Sequence, residues 1–166
     1  ISLLETRCIA IVGSRATSNY GKIITAQFAK ALAENGFTIV SGLAMGVDKI
    51  SHESTLDCGG KTIAVLGSGF NNLYPAENVN LANKIAEKGL LVSEYRPSVK
   101  AALFTFPQRN RIIAGLSLGV LVTEAGEKSG ALITKEYALE YGKDIFVVPG
   151  NINSPKSFGT NRLIKS

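Results

Sequence analysis

Six short apolar runs, rich in β-branched residues, recur along this chain with helix-patterned segments between them, and that alternation constrains the fold more than any other feature. The runs are residues 8–12, 37–40, 62–66, 90–92, 120–123 and 145–148. Apolar residues return at helical spacing across 22–34, 47–57, 78–88, 108–116 and 131–141. Strand–helix–strand units in series predict an α/β domain. The runs lack polar alternation, as strands covered on both faces do. The expected architecture is therefore a mostly parallel open sheet with helices on both faces.

A sheet of this kind collects its functional loops at the carboxyl ends of its strands. In this chain those loops hold Gly13-Ser14-Arg15, Ser41-Gly42, Gly67-Ser68, Ser93-Glu94, Glu124 to Gly130, and Pro149-Gly150. Gly36, Gly89 and Gly142 fall where helices end before the next strand, and a left-handed residue is expected at each. At 166 residues the chain has the length of a single domain spanning 1–166. It begins at Ile1 and stops at Ser166 inside an expected helix, so it reads as part of a longer protein.

The densest chemistry lies in Phe106-Pro-Gln-Arg109-Asn110-Arg111 and, after a strand, Glu124-Ala-Gly-Glu-Lys128-Ser129-Gly130. An aromatic ring, two arginines and a glycine-bearing turn opening a helix suit a phosphorylated polymer better than bond cleavage. Gly13-Ser14-Arg15 adds a second seat, since amides between a strand and a helix N-terminus bind phosphate and an arginine can clamp it. Ser129 and Gly130 are expected to cap a helix and leave its backbone open beside Lys128, with Asn161 closing the same rim. The formal charge of +5 agrees with an acidic partner, although alone it says little. No run reaches the roughly 18 apolar residues of a membrane span and none resembles a signal peptide, so no membrane contact and a cytoplasmic location are expected.

Other readings fit less well. Gly-x-Gly-x-x-Gly and the Walker lysine loop are absent, and the second strand ends in Val40-Ser41 where a ribose-binding acid would stand. Gly115-Leu-Ser117-Leu-Gly119 matches a nucleophile elbow, but here the helix precedes the serine and the strand follows. His52 stands four residues after Asp48 on an expected helix, so the two are read as facing partners, and one histidine cannot build a metal cluster. Glu94 and Glu124 end two strands, where they would either meet in the crevice or pair with Arg109 and Arg111. Cys8 and Cys58 have no Cys-x-x-Cys spacing and are expected to be buried, reduced thiols. No metal and no cofactor are expected.

Taken in order, Val12-Gly-Ser-Arg15, Ser41-Gly-Leu-Ala-x-Gly-Val-Asp48 with His52, Tyr74-Pro-x-x-Asn78, Ser93-Glu94, Phe106-x-x-Arg-Asn-Arg-Ile-Ile-Ala-Gly-Leu-Ser117, Glu124-Ala with Ser129-Gly-Ala-Leu-Ile-Thr134, Val148-Pro-Gly150 and Ser157-x-Gly-Thr-Asn161 resemble the DNA processing protein A (Smf) family. The resemblance implies an extended Rossmann-like, non-enzymatic, commonly dimeric domain that binds single-stranded DNA, protects the incoming strand and helps load the RecA recombinase in natural transformation. It also implies flanking domains, one helical and one winged-helix-like. By resemblance Arg15 belongs to a basic DNA pocket and Phe106 is the base-stacking ring, with Arg109 and Asn110 beside it. Two departures stand out: Ala76 where the family often has lysine, and Leu103 where it has a basic residue, with Lys100 as compensation. The competing reading is a nucleoside-monophosphate phosphoribohydrolase of the lysine-decarboxylase-like type. Such enzymes carry Pro-Gly-Gly-x-Gly-Thr where this chain has Glu124 to Gly130.

Overall fold

The computed structural model describes residues 2–165. The elements in chain order are β1 Cys8–Val12, α1 Asn19–Glu34, β2 Thr38–Ser41, α2 Val47–Asp57, β3 Thr62–Val65, α3 Val79–Lys88, β4 Leu90–Val92, α4 Thr105–Leu116, β5 Gly119–Val122, α5 Ala131–Glu140, β6 Asp144–Val147 and α6 Phe158–Lys165. The six strands form one sheet in the order β4-β3-β2-β1-β5-β6. Every pairing is parallel. The chain thus builds outward from β1 to β4, then returns to the other side of β1, and the reversal opens a crevice between β1 and β5.

Burial on both faces accounts for the apolar, unalternating strands. Cys8, Ala10 and Val12 of β1 join Val40, Ile63, Val65, Val120 and Val122 against Ile113 and Ala114 of α4 and Ala131 and Ala138 of α5. Ile11, one residue out of phase, packs the other way with Ile39, Leu121, Ala29 of α1 and Val47 of α2. A third cluster seats Leu81, Ala82 and Ile85 of α3 on Ala64 and Leu66. Full burial of Ile11, Ile39 and Ile63 contributes roughly 1.5–3 kcal/mol each. Cover ends at β6, where Asp144 and Phe146 are exposed and Ile145 and Val147 are partly buried.

Local chemistry moved two helix starts. Helix α1 begins at Asn19 because the Ser18 hydroxyl accepts from the Gly21 amide at 3.0 Å. Helix α4 begins at Thr105, whose hydroxyl accepts from the Ala102 amide at 3.1 Å. Phe106 therefore lies in the first turn of a helix rather than in the loop before it, and Pro107 is tolerated there. Gly36 and Gly142 have φ of +79° and +63°, as expected, but Gly89 has φ −136°. A side chain at Gly89 would strike the Thr62 carbonyl, so close packing explains that glycine instead. Single 3-10 turns occupy Ser2–Glu5, Phe70–Asn72, Ala76–Asn78 and Pro155–Ser157.

Candidate functional site

At the carboxyl ends of β1 and β5 lies a cleft of about 530 Å³. Its walls are Gly13, Ser14 and Arg15 after β1, Asp48 of α2, Phe106, Arg109 and Asn110 of α4, Lys128, Ser129 and Gly130 after β5, and Ile133 and Thr134 of α5. The loop after β1 is held from both sides. The Ser14 amide donates to the Glu124 carbonyl at 2.7 Å, and the Val47 amide to the Ser14 carbonyl at 3.1 Å. Gly46 has φ +78°, and a side chain there would strike the carbonyls of Ser14 and Arg15.

Glu124 is 2% exposed and organises the same loop. Its carboxylate accepts from the Thr17 hydroxyl and the Ser18 amide, both at 2.7 Å, and from the Ser18 hydroxyl. Glu94 instead pairs with Arg111. The two glutamates do not meet, because strand order puts β4 four positions from β5, about 19 Å at ~4.8 Å per strand. Arg15 is left exposed at the loop tip, with its guanidinium 5.0 Å from the Phe106 ring centroid. The Tyr74 ring lies against Phe106 at 5.6 Å and 43°. Gly67 makes room for this arrangement, since a Cβ there would fall 2.7 Å from the Phe106 ring.

Arg109 turns inward. It is 3% exposed, and its Nη1 donates to the carbonyls of Gly42 (2.6 Å) and Val65 while Nε donates to Asn110 Oδ1 (3.2 Å). Asp48 faces it across Gly42, whose missing side chain would meet both groups at 2.7 Å. The Asp48 carboxylate accepts from the amides of Gly42 (3.1 Å) and Ala44 (3.4 Å). Burial raises the Asp48 carboxyl above its ordinary range, with Arg109 and the two amides pulling it back. Burial likewise lowers Arg109 to about 10, which leaves it cationic at neutral pH.

A family model for DNA recombination-mediator protein A matches residues 1–166. The chain belongs to the DNA recombination-mediator protein A family. It is 44% identical over 163 residues to the DNA processing protein DprA of Bacillus subtilis, covering 98% of this chain and 55% of that protein. It is 48% identical over 158 residues to protein Smf of Escherichia coli, covering 95% and 42%. The chain thus spans about half the length of these relatives. Among solved structures, DprA of Streptococcus pneumoniae superposes with a TM-score of 0.92 at 44% identity, covering 99% of this chain and 58% of that one. DNA processing protein A of Helicobacter pylori, studied for its single-stranded DNA binding mode, gives 0.92 at 37% identity, covering 99% and 74%. A molybdenum cofactor carrier protein of Chlamydomonas reinhardtii shares the fold alone, at 18% identity and a TM-score of 0.61.

In this member of the DNA recombination-mediator protein A family, the candidate residues divide by where their polar atoms point. Gly13, Ser14, Arg15, Phe106, Lys128, Ser129 and Gly130 come together around the cleft. Ser41 does not reach it: the residue is fully buried and its hydroxyl donates to the Ile11 carbonyl at 2.7 Å. Gly42 is enclosed between Arg109 and Asp48, Ser68 is 1% exposed, and Gly67 is a seat for Phe106. Asn110 lines the cleft, yet its side chain bridges Arg109 and the Gly130 carbonyl. Asn161 holds the amide and carbonyl of Gly150, both at 3.0 Å. Lys100 is exposed on the loop after β4, outside the cleft lining. Ser129 does not cap α5 closely, its hydroxyl standing 3.4 Å from the Ala131 amide.

His52 and Cys58 also differ from expectation. His52 faces β3 rather than Asp48, with Nδ1 2.6 Å from the Thr62 hydroxyl. Cys8 is buried but Cys58 only partly. Ser117 is 1% exposed and its hydroxyl donates to the Ile113 carbonyl, which suits a helix end. Among the described residues no cluster of three His, Cys, Asp or Glu forms a metal-binding group, and no helix is long and apolar enough to cross a membrane. Three contributors escaped the sequence reading: Asp48 as the counter-charge of Arg109, Glu124 as the anchor of the loop, and Tyr74 beside Phe106. The inward turn of Arg109 had a signal, because Arg109, Ile113 and Leu116 share one helical face.

Proposed function

We propose that this domain binds single-stranded DNA across the cleft without cutting it, and that as one unit of a longer protein it protects incoming strands and helps load the RecA recombinase in natural transformation. The observation that carries the reading is the rim itself. An exposed Arg15 guanidinium rests on an aromatic ring at one lip, and exposed Lys128 with Gly130, whose Cα faces open space, forms the other. Sequence-tolerant single-strand binding needs cations, accessible amides and rings, and no bond-breaking group. Relatives named as DNA processing proteins support this, as does the Helicobacter pylori protein's single-stranded DNA binding. A homodimer and a cytoplasmic site of action belong to the same proposal.

The phosphoribohydrolase reading has less behind it. Glu94 and Glu124, the carboxylates it would need, are engaged with Arg111 and with Thr17 and Ser18. If about four phosphates are engaged, log K for oligo-dT falls against log salt with a slope of about −3, at about −0.7 per contact in single strands. Arg15→Ala is expected to weaken binding roughly ten- to hundredfold, as for a charged hydrogen bond of about 1.5–3 kcal/mol, and to flatten that slope by about 0.7. A fluorescence anisotropy titration at several salt concentrations checks both. Unchanged affinity and slope would remove Arg15 from the interface, and ribose release from a nucleoside monophosphate by the same sample would favour the enzyme.

A further inference from the structure

The ring that the motif offers for stacking is already covered. Phe106 is half-buried, Arg15 lies over it, Tyr74 leans on it and Gly67 lies against its edge. A base could take the place of Arg15 on that face only by displacing the cation that the strand's phosphate needs. Tyr74 is 52% exposed and stands just outside the cleft. We propose that Tyr74 is the base-stacking platform of the DNA path, and that Phe106 acts by holding Arg15 in position. This rests on the single-strand reading above and adds a residue and a direction to it.

The neighbouring loop supports that direction. Residues 96–99 are tied to the turn preceding Tyr74 by Gly69 N to Val99 O (2.9 Å), Asn71 N to Pro97 O (3.0 Å) and Asn72 Nδ2 to Ser98 O (3.0 Å). These bonds bring the loop bearing exposed Arg96 and Lys100 to the Tyr74 side of the rim. A strand leaving the cleft at Arg15 then crosses Tyr74 and meets two more cations. Lys100, outside the cleft lining, gains a role as the far end of this path. Tyrosine suits the position because a half-exposed ring stacks on any base and needs no sequence-specific contact.

The chain contains no tryptophan, so Tyr74→Trp installs a single reporter. With the 166-residue chain, Tyr74→Ala is expected to weaken oligo-dT binding roughly 5- to 100-fold, as loss of one stacked base does. Binding of an abasic oligonucleotide of equal length, and the salt slope, stay unchanged. Tyr74→Trp is expected to restore affinity, with emission quenched by oligo-dT and not by the abasic strand. Wild-type affinity in Tyr74→Ala, with Arg15→Ala weakened, would overturn the Tyr74 assignment and leave the DNA reading standing. Equal weakening toward both oligonucleotides would make Tyr74 a merely structural residue and also overturn it. Failure of the wild-type chain to bind either strand would remove the single-strand reading and this inference together.

Discussion

Arg109→Ala is expected to cost the fold about 3–5 kcal/mol, the usual consequence of removing one partner from a buried charge pair. The guanidinium bridges the loop after β2 and the end of β3 through the Gly42 and Val65 carbonyls, and it is the cation facing Asp48. Without it, two carbonyls lose a donor and a buried carboxylate loses its counter-charge. A urea midpoint lowered by roughly 2 M at a slope near 2 kcal/mol/M is the expected measurement. Adding Asp48→Asn should recover part of the loss, because the uncompensated charge disappears while the amide oxygen can still accept from the Gly42 and Ala44 amides. That coupling separates the pair from simple loss of packing. Two losses that merely add would refute the pairing. Weakened DNA binding by Arg109→Ala at full stability would restore the residue to the interface.

The second large effect concerns pH. Thr62 Oγ1 donates to the Ile39 carbonyl at 2.8 Å, so its contact with His52 must be accepted from an Nδ1–H. Nε2 is then a bare acceptor, buried without a partner among the described residues. Burial, and secondarily the charge of Arg109, lower the imidazole from an ordinary 6.5 to about 3. The unfolded chain therefore binds a proton that the folded chain refuses between about pH 6.5 and 3. Stability from this group is complete above pH 6.5 and is lost as pH falls through that window, on the order of 5 kcal/mol in full. Asp48, raised by burial, contributes in the opposite sense, taking up a proton more readily when folded, and softens the loss at the acid end. Urea midpoints at pH 7.5 and 4.5 should fall for the native chain and fall clearly less for His52→Asn, which keeps a donor for Thr62 and cannot titrate. Equal falls in both would show that another group sets the acid limit.

Several features of the fold were legible because they depend on neighbours in sequence. The span of β1 and that of α2 follow from an unbroken apolar run and from helical periodicity, patterns carried by consecutive residues of one element. Gly36 and Gly142 could be placed because a helix end imposes φ > 0 on the residue that follows it. Gly89 departs from that rule because its constraint is the Thr62 carbonyl on another strand. The family's ordered motifs likewise mark the loops of the cleft, because each motif is a run of residues within one loop.

The parallel α/β framework, the crevice at its strand ends and the set of residues near it all follow from the order of residues along the chain. Which of those residues face outward depends on how distant elements pack together. Arg109 and Arg111 stand two apart on one helix, and a rotation of about 200° between them sends one guanidinium into the interior and the other to Glu94. Glu124 reaches Thr17 and Ser18 across more than 100 residues of chain, and Tyr74 meets Phe106 from a different loop. Polar side chains are satisfied by whatever the packed sheet brings within about 3 Å, and spacing along one strand or helix does not encode that distance.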